Sequence, residues 1–376
     1  MRVVVAPDSF KGSLTSIQAA AAIAAGLRDA FPSVTCLPVP MADGGEGTVD
    51  AVVAVTGGEV VRVPASDPLG RPLTAAFGWV PGRRLAVVEM AAASGLPLLA
   101  EHERDPARAT TFGTGQVVRA ALDRGAEALI LGLGGSATSD GGSGLLRALG
   151  ARLLDGAGRE VAGILDPVAE VDLSALDPRL RDIALTLACD VSNPLLGPQG
   201  AVAVFGPQKG VTPALAPVLE AALARFADAL ARAAGRDARD TAGAGAAGGL
   251  GFGVMTAAGG EVRSGFELIA DLADLAGMMA GADLAVTGEG RLDAQSLFGK
   301  VPVGIARLGR RTGTPVAAFA GLVDGDPALF RAEGIAAVVP IVDAPMPLVQ
   351  ALADAPALLR RAARRFMDAV LLGRSL

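Results

Sequence analysis

A rhythm at both ends of the chain, missing from its middle, most constrains what the chain can fold into. Residues 1–58 read strand, loop, helix, strand, loop, helix. The elements are a Val-rich run Arg2–Pro7, an Ala-rich helix from about Ser16 to Ala30, a strand Val34–Val39 and a helix from about Gly47 to Val55. Strands this continuously apolar suit a sheet buried on both faces, and hence a parallel one. The beat returns in strand Leu284–Thr287, a helix over Val303–Thr312, strands Pro315–Ala320 and Ala336–Ile341, and an amphipathic Arg-rich helix over Ala355–Leu372. If the two ends share one sheet, the natural arrangement is doubly wound, with strand order 2-1-3-4-5.

The class is therefore α/β, with a Rossmann- or flavodoxin-like parallel-sheet domain made from residues 1–58 and 281–376. Residues 59–280 form an inserted mixed α/β domain. Two domains fit 376 residues. The insert opens as a meander of Glu59–Pro64, Leu73–Val80 and Leu85–Met90. It continues through strand Ala128–Leu133, a helix over Gly141–Leu149, strands Arg152–Leu154 and Ala184–Cys189, and a helix over Pro213–Ala234. Gly235–Gly253 reads as a mobile or ligand-wrapping loop. In the split domain the switch point falls between strands Arg2–Pro7 and Leu284–Thr287. Ligands of such sheets bind beyond the carboxyl ends of strands at that point. The loops there are Asp8–Ser13 and Gly288–Gly299, and an active site in a cleft between the domains is expected.

Composition narrows the chemistry. Net charge is −6 with no basic run, and aromatic residues are 3% of the chain, which argues against nucleic-acid binding. No apolar run approaches the ~20 residues of a membrane span, and the N-terminus reads as a strand rather than a leader, so a cytoplasmic location is expected. Cys36 and Cys189 lie far apart and fit a reduced compartment. One histidine, His102 in a polar loop, leaves little for a Ser-His-Asp triad or a zinc site. Thirty arginines stand against three lysines, and every lysine adjoins a glycine: Lys11-Gly12, Lys209-Gly210 and Gly299-Lys300. Where Arg serves as the general surface cation, a Lys at a Gly turn suggests a compact charge for a ligand such as phosphate.

Five segments gather Gly with acid, hydroxyl or amide groups behind apolar runs. They are Pro7–Ser13 (with Asp8, Ser9, Lys11, Gly12 and Ser13), Met41–Thr48 (with Asp43 and Glu46), Gly132–Gly142 (with Gly134, Gly135, Ser136 and Asp140), Cys189–Leu195 (with Asp190 and the single Asn, Asn193) and Thr287–Lys300 (with Glu289, Arg291, Asp293 and Lys300). Phosphoryl transfer needs such parts: free backbone N–H groups, a cation, and carboxylates for Mg²⁺. Each segment alone is also an ordinary turn. Gly132-x-Gly134-x-x-Ala137 mimics a dinucleotide fingerprint and keeps an NAD(P)-linked hydroxy-acid oxidoreductase open. A nucleotide-binding protein without turnover is the other rival.

Taken together, the segments resemble the bacterial type I glycerate kinase family. The resemblance rests on Ala6–Leu14, Met41–Thr48, Gly132–Gly142, Ala188–Val191 with Asn193–Leu195, Gly245–Gly249, and Thr287–Gly290 with Asp293, Gln295, Ser296, Gly299 and Lys300, in order along nearly the whole chain. One departure is Ser139, where the family usually has Asn. The resemblance implies ATP- and Mg²⁺-dependent phosphorylation of glycerate, with 2-phosphoglycerate the usual product and 3-phosphoglycerate the alternative. The mechanism expected from it assigns roles as follows. Lys11 and the Gly12–Ser13 backbone hold phosphate, and Lys300 is a second cation for phosphate or carboxylate. Asp190, or else Asp293, takes the hydroxyl proton. Asp43 and Glu46, or Glu289, hold Mg²⁺. Arg291 or the Ser136–Gly142 turn holds the substrate carboxylate. Asp8, Ser9, Gly134, Gly135, Asp140 and Asn193 complete the binding set. Glycerate and ATP are the expected partners, with no nucleic acid or membrane, and a homodimer is admitted.

Overall fold

The computed structural model describes residues 1–293, 296 and 300–375. The chain divides into two compact units. One holds Met1–Asp43, Asp50–Gly57 and Phe266–Leu376; the other holds Gly44–Val49 and Gly58–Gly265.

The first unit is built on a five-stranded sheet. Its spatial order is Ile335–Pro340, Val316–Asp324, Leu284–Asp293, Arg2–Val5, Thr35–Pro38, with every pairing parallel. This is the doubly wound order expected from the alternation of apolar strand and helix. Val3, Val4 and Val5 are wholly buried, as a central strand covered on both faces requires. Thr15 caps the helix Ser16–Ala30. Its Oγ1 accepts from Gln18 N at 3.2 Å, while the Gln18 side chain accepts from Thr15 N at 3.0 Å. That reciprocal capping box satisfies two N–H groups the helix cannot pair itself.

Two strands run further than their sequences suggest. Leu284–Asp293 and Val316–Asp324 stay paired as far as Asp293 opposite Asp324. The segment Gly288–Asp293, expected as a loop, is therefore strand. Its glycines read as turn residues, but they are there for close approach. A Cβ on Gly288 would lie 2.6 Å from the Phe319 carbonyl oxygen, and one on Gly290 would lie 3.3 Å from Lys11 N. The bare backbone lets the Phe10–Lys11 turn lie against the strand.

The second unit holds a six-stranded mixed sheet, ordered Glu261–Arg263, Ala184–Ala188, Ala128–Gly132, Leu85–Glu89, Pro72–Val80, Glu59–Ser66. The last three form the antiparallel meander, and the others pair parallel. The reading of Gly235–Gly253 as a loop is corrected in part, because residues 246–258 form a helix, Ala246–Ala258. Its first turn is abnormal, with Ala247, Gly248 and Gly249 all at positive φ (53°, 67° and 90°). At Gly248 a Cβ would lie 2.0 Å from the Thr138 carbonyl oxygen, so only glycine fits. The helix is buried from Ala246 through Thr256; the sequence pattern was obscured because glycine supplies no apolar periodicity. Among the described residues, no helix is long and apolar enough to cross a membrane.

Candidate functional site

In the first unit the turn after strand Arg2–Val5 is fastened at both ends. Asp8 N donates to Gly288 O (2.8 Å), and Phe10 and Leu14 exchange backbone hydrogen bonds (2.9 and 3.0 Å). Ser13 Oγ donates to Phe10 O at 2.9 Å, and Gly12 takes φ +79°. Lys11 is left exposed at the tip. Lys300 stands at the N-cap of the helix Val301–Thr312, where unpaired N–H groups and the helix dipole favour anions.

Carboxylates crowd the same corner. Asp8 is 5% exposed and Glu289 6%. Burial, then the charge of Asp43 and more weakly that of Glu289, push Asp8 up to about 7, against a backbone hydrogen bond from Ser9 and the pull of Lys11. Burial also pushes Glu289 up, with Asp293 and Asp43 adding repulsion, against a hydrogen bond from Ser296 and the charge of Lys300. Ser296 Oγ donates to Glu289 Oε1 at 2.6 Å. These groups share a cavity of about 610 Å³, lined in part by Asp8, Ser9, Lys11, Ser13, Asp43, Glu289, Arg291 and Lys300. Arg291 pairs with Asp293 at 3.0 Å and with Asp324. Asp293 also accepts from Ser296 N at 3.3 Å.

The second unit places the other expected residues. Strand Ala128–Gly132 runs into a loop whose acid, Asp140, is taken up by the protein itself. Its Oδ2 accepts from Thr111 N (2.8 Å), Thr111 Oγ1 (2.9 Å), Thr110 Oγ1 (3.3 Å) and Gly144 N (3.1 Å), and its Oδ1 from Gly142 N (3.1 Å). Asp140 thus braces the loop against the start of the helix Phe112–Asp123. Ser136 Oγ is 2.8 Å from Lys209 Nζ, which also donates to Thr138 O at 2.6 Å. Gly135, in the same loop, is exposed, and Gly134 half-buried. Asp190 is exposed beyond strand Ala184–Ala188, and Asn193 donates through Nδ2 to Gln199 O at 2.8 Å. Glu46 is exposed on the Gly44–Val49 segment. Among the described residues, no three His, Cys, Asp or Glu side chains form a group that by itself could hold a metal ion.

Lys209 was not in the expected set, although it is one of the three glycine-flanked lysines. It is 1% exposed. Burial draws it down to about 7, against the charge of Asp140. Its Nζ donates to the two oxygens in reach, Ser136 Oγ and Thr138 O. Ser139 Oγ, at the position where the resemblance puts Asn, is buried without a hydrogen-bond partner. Gln295 and Gly299 lie outside the described residues.

With this geometry in hand, likeness to known proteins is informative. Residues 3–371 match the glycerate kinase family. A glycerate kinase of Bacillus subtilis (strain 168) is 44% identical over 379 residues, covering 100% of this chain and 99% of its own. A glycerate 2-kinase of Escherichia coli (strain K12) is 41% identical over 376 residues, covering 99% of each. A crystal structure of a candidate glycerate kinase 2 from Salmonella typhimurium LT2 superposes with a TM-score of 0.90 at 44% identity, covering 100% of both chains. The two-unit α/β architecture, the order of the motifs and these likenesses agree: the chain belongs to the glycerate kinase family.

Proposed function

We propose that this chain is an ATP-dependent glycerate kinase that converts D-glycerate to 2-phosphoglycerate with Mg²⁺. What carries the reading is one cavity that gathers Lys11, Lys300, Asp8, Asp43 and Glu289 at the switch point of a parallel sheet. Lysines beside a helix N-terminus suit a phosphate chain. The carboxylates suit a divalent cation, because burial and mutual repulsion raise both Asp8 and Glu289, and a cation would relieve that repulsion. Mg²⁺ commonly takes one or two protein carboxylates together with substrate phosphates, so a closed cage of protein ligands is not required. Asp8 and Asp43 are the proposed holders, and the ion supplies charge neutralisation on the phosphates.

The protein's own part is positioning and charge. Lys11 and the Gly12–Ser13 backbone hold phosphate oxygens, and Lys300 holds a second set. Asp190 is the proposed base for the attacking hydroxyl; Asp293, the alternative, is already engaged by Arg291 and Ser296. Arg291 is occupied by two carboxylates, which favours the Ser136–Gly142 turn as partner for the glycerate carboxylate.

The test is release of ADP from ATP, D-glycerate and Mg²⁺, with a phosphorus NMR spectrum of the product. A 2-phosphoglycerate resonance is expected. No ADP release overturns the kinase reading, and a 3-phosphoglycerate resonance overturns the regiochemistry. Asp190→Asn is expected to lower kcat about 100-fold or more; an unchanged kcat moves the role elsewhere.

A further inference from the structure

The cavity in the first unit has two chemically different kinds of lining. Besides the charged groups it is lined by Leu322, Ile341, Val342, Met346, Leu348 and Leu352, Leu322 pairing directly beside Arg291. Not one of these side chains carries an N–H or O–H group. Part of this wall is uncovered, although Ile341 is buried and Val342 and Met346 pack against the core. Strand Val316–Asp324 makes its last pairing with Ile335–Pro340 at Ala320 opposite Pro340, so Leu322 projects past that edge and stays 51% exposed. The chain then turns back, with Ile341 N donating to Ala320 O at 2.9 Å. It forms the short helix Leu348–Ala353, in which no residue is buried and Leu348 is 73% exposed. A six-residue helix that presents leucines and buries none gains nothing from its own core, and an uncovered apolar wall of this kind marks a binding surface.

The occupant follows from the charged groups that line the same cavity. A ligand that meets both kinds of lining must join an anionic portion to an apolar, flat or compact one. Glycerate, three carbons with a carboxylate and two hydroxyls, gains nothing from six aliphatic side chains. A nucleoside carrying a phosphate chain has both portions, and a cavity of about 610 Å³ is in the ordinary range for such a ligand. Resting on the kinase reading above, we infer that the wall formed by Leu322, Ile341, Val342, Met346, Leu348 and Leu352 is the nucleoside subsite of the phosphate donor, and that it holds the base by apolar contact rather than by side-chain hydrogen bonds. Selectivity among purine nucleotides is therefore weak. Sites that hydrogen-bond a distinguishing group reject its analogue by roughly 10⁴–10⁵, whereas apolar pockets discriminate by about 100-fold or less.

Photolabelling of the full chain with 8-azido-ATP, followed by peptide mapping, tests the location without relying on turnover. ATP-protected label is expected at Leu322 or within residues 341–355; protected label in residues 58–265, or no protected label anywhere, overturns the assignment. A lack of phosphoryl transfer to glycerate with protected label still at this wall would sink the kinase reading alone. Leu348→Asp, at a position exposed enough to leave folding intact, is expected to raise KM for ATP roughly tenfold with KM for glycerate within about twofold. An unchanged KM for ATP counts against the subsite. The ratio of kcat/KM for ATP over GTP is expected below about 100, and a larger preference overturns the apolar mode of holding.

Discussion

The turn Asp8–Ser13 and the loop Leu133–Gly142 share an apolar strand end, glycines, hydroxyls and an acid; the turn carries its own lysine, while the loop receives Lys209 from elsewhere in the chain. Their charges end in opposite conditions. In the loop, Asp140 is met by N–H and O–H groups of its own surroundings, and Lys209 is buried against two oxygens. At the turn, Asp8 and Glu289 sit with their charge opposed by burial and by like neighbours, and Lys11 is exposed at the rim of a cavity. A glycine-and-acid segment after a strand is a self-satisfied brace when the protein itself supplies the partners. It is a ligand site when the protein leaves charge that something else must balance.

That contrast has measurable consequences. The largest is at the brace: Asp140→Ala strands several buried donors and is expected to cost about 3–5 kcal/mol of stability, read by chemical denaturation. A loss under about 1 kcal/mol would mean Asp140 is no brace. Next comes the turn. Lys11→Ala should lower kcat/KM about 100-fold or more while thermal unfolding moves little; a stability loss with normal kinetics would reverse the two regions' roles.

Lys209→Met comes third, at about 1–3 kcal/mol, with a pH signature. Burial holds the Lys209 ammonium below its ordinary value, at about 7. Between that value and the unfolded lysine's about 10.5 the unfolded chain carries more protons, so stability gains as pH rises through this window. The gain should vanish in the Met variant, and equal slopes for the two proteins would refute it. The smallest effect has the opposite sign to the first. Asp8→Asn keeps the acceptor for Ser9 N (2.6 Å) but removes a repelled charge. Without divalent cations it should stabilise the protein by about 1 kcal/mol while activity falls. Destabilisation would show that the corner stores no repulsion.

Much of the frame was legible. The βα alternation at both ends was enough to order the five strands. The scarcity of lysine drew attention to Lys11 and Lys300, both on the cavity. Other features were hidden for physical reasons. Gly288 and Gly290 read as a turn because a sequence does not show that Phe319 and Lys11 crowd them. The helix Ala246–Ala258 was concealed by glycines whose role is contact with Thr138 and Gly141.

The sequence by itself determined the sheet and the place of its switch point, because apolar runs and their connections leave few ways to bury two faces of a parallel sheet. Only the tertiary structure decided which acid is balanced and which is not. Asp140 is met by Thr111 and Lys209 by Ser136, partners 29 and 73 residues away. A carboxylate's state depends on what the fold brings beside it, and local sequence carries no record of that distance.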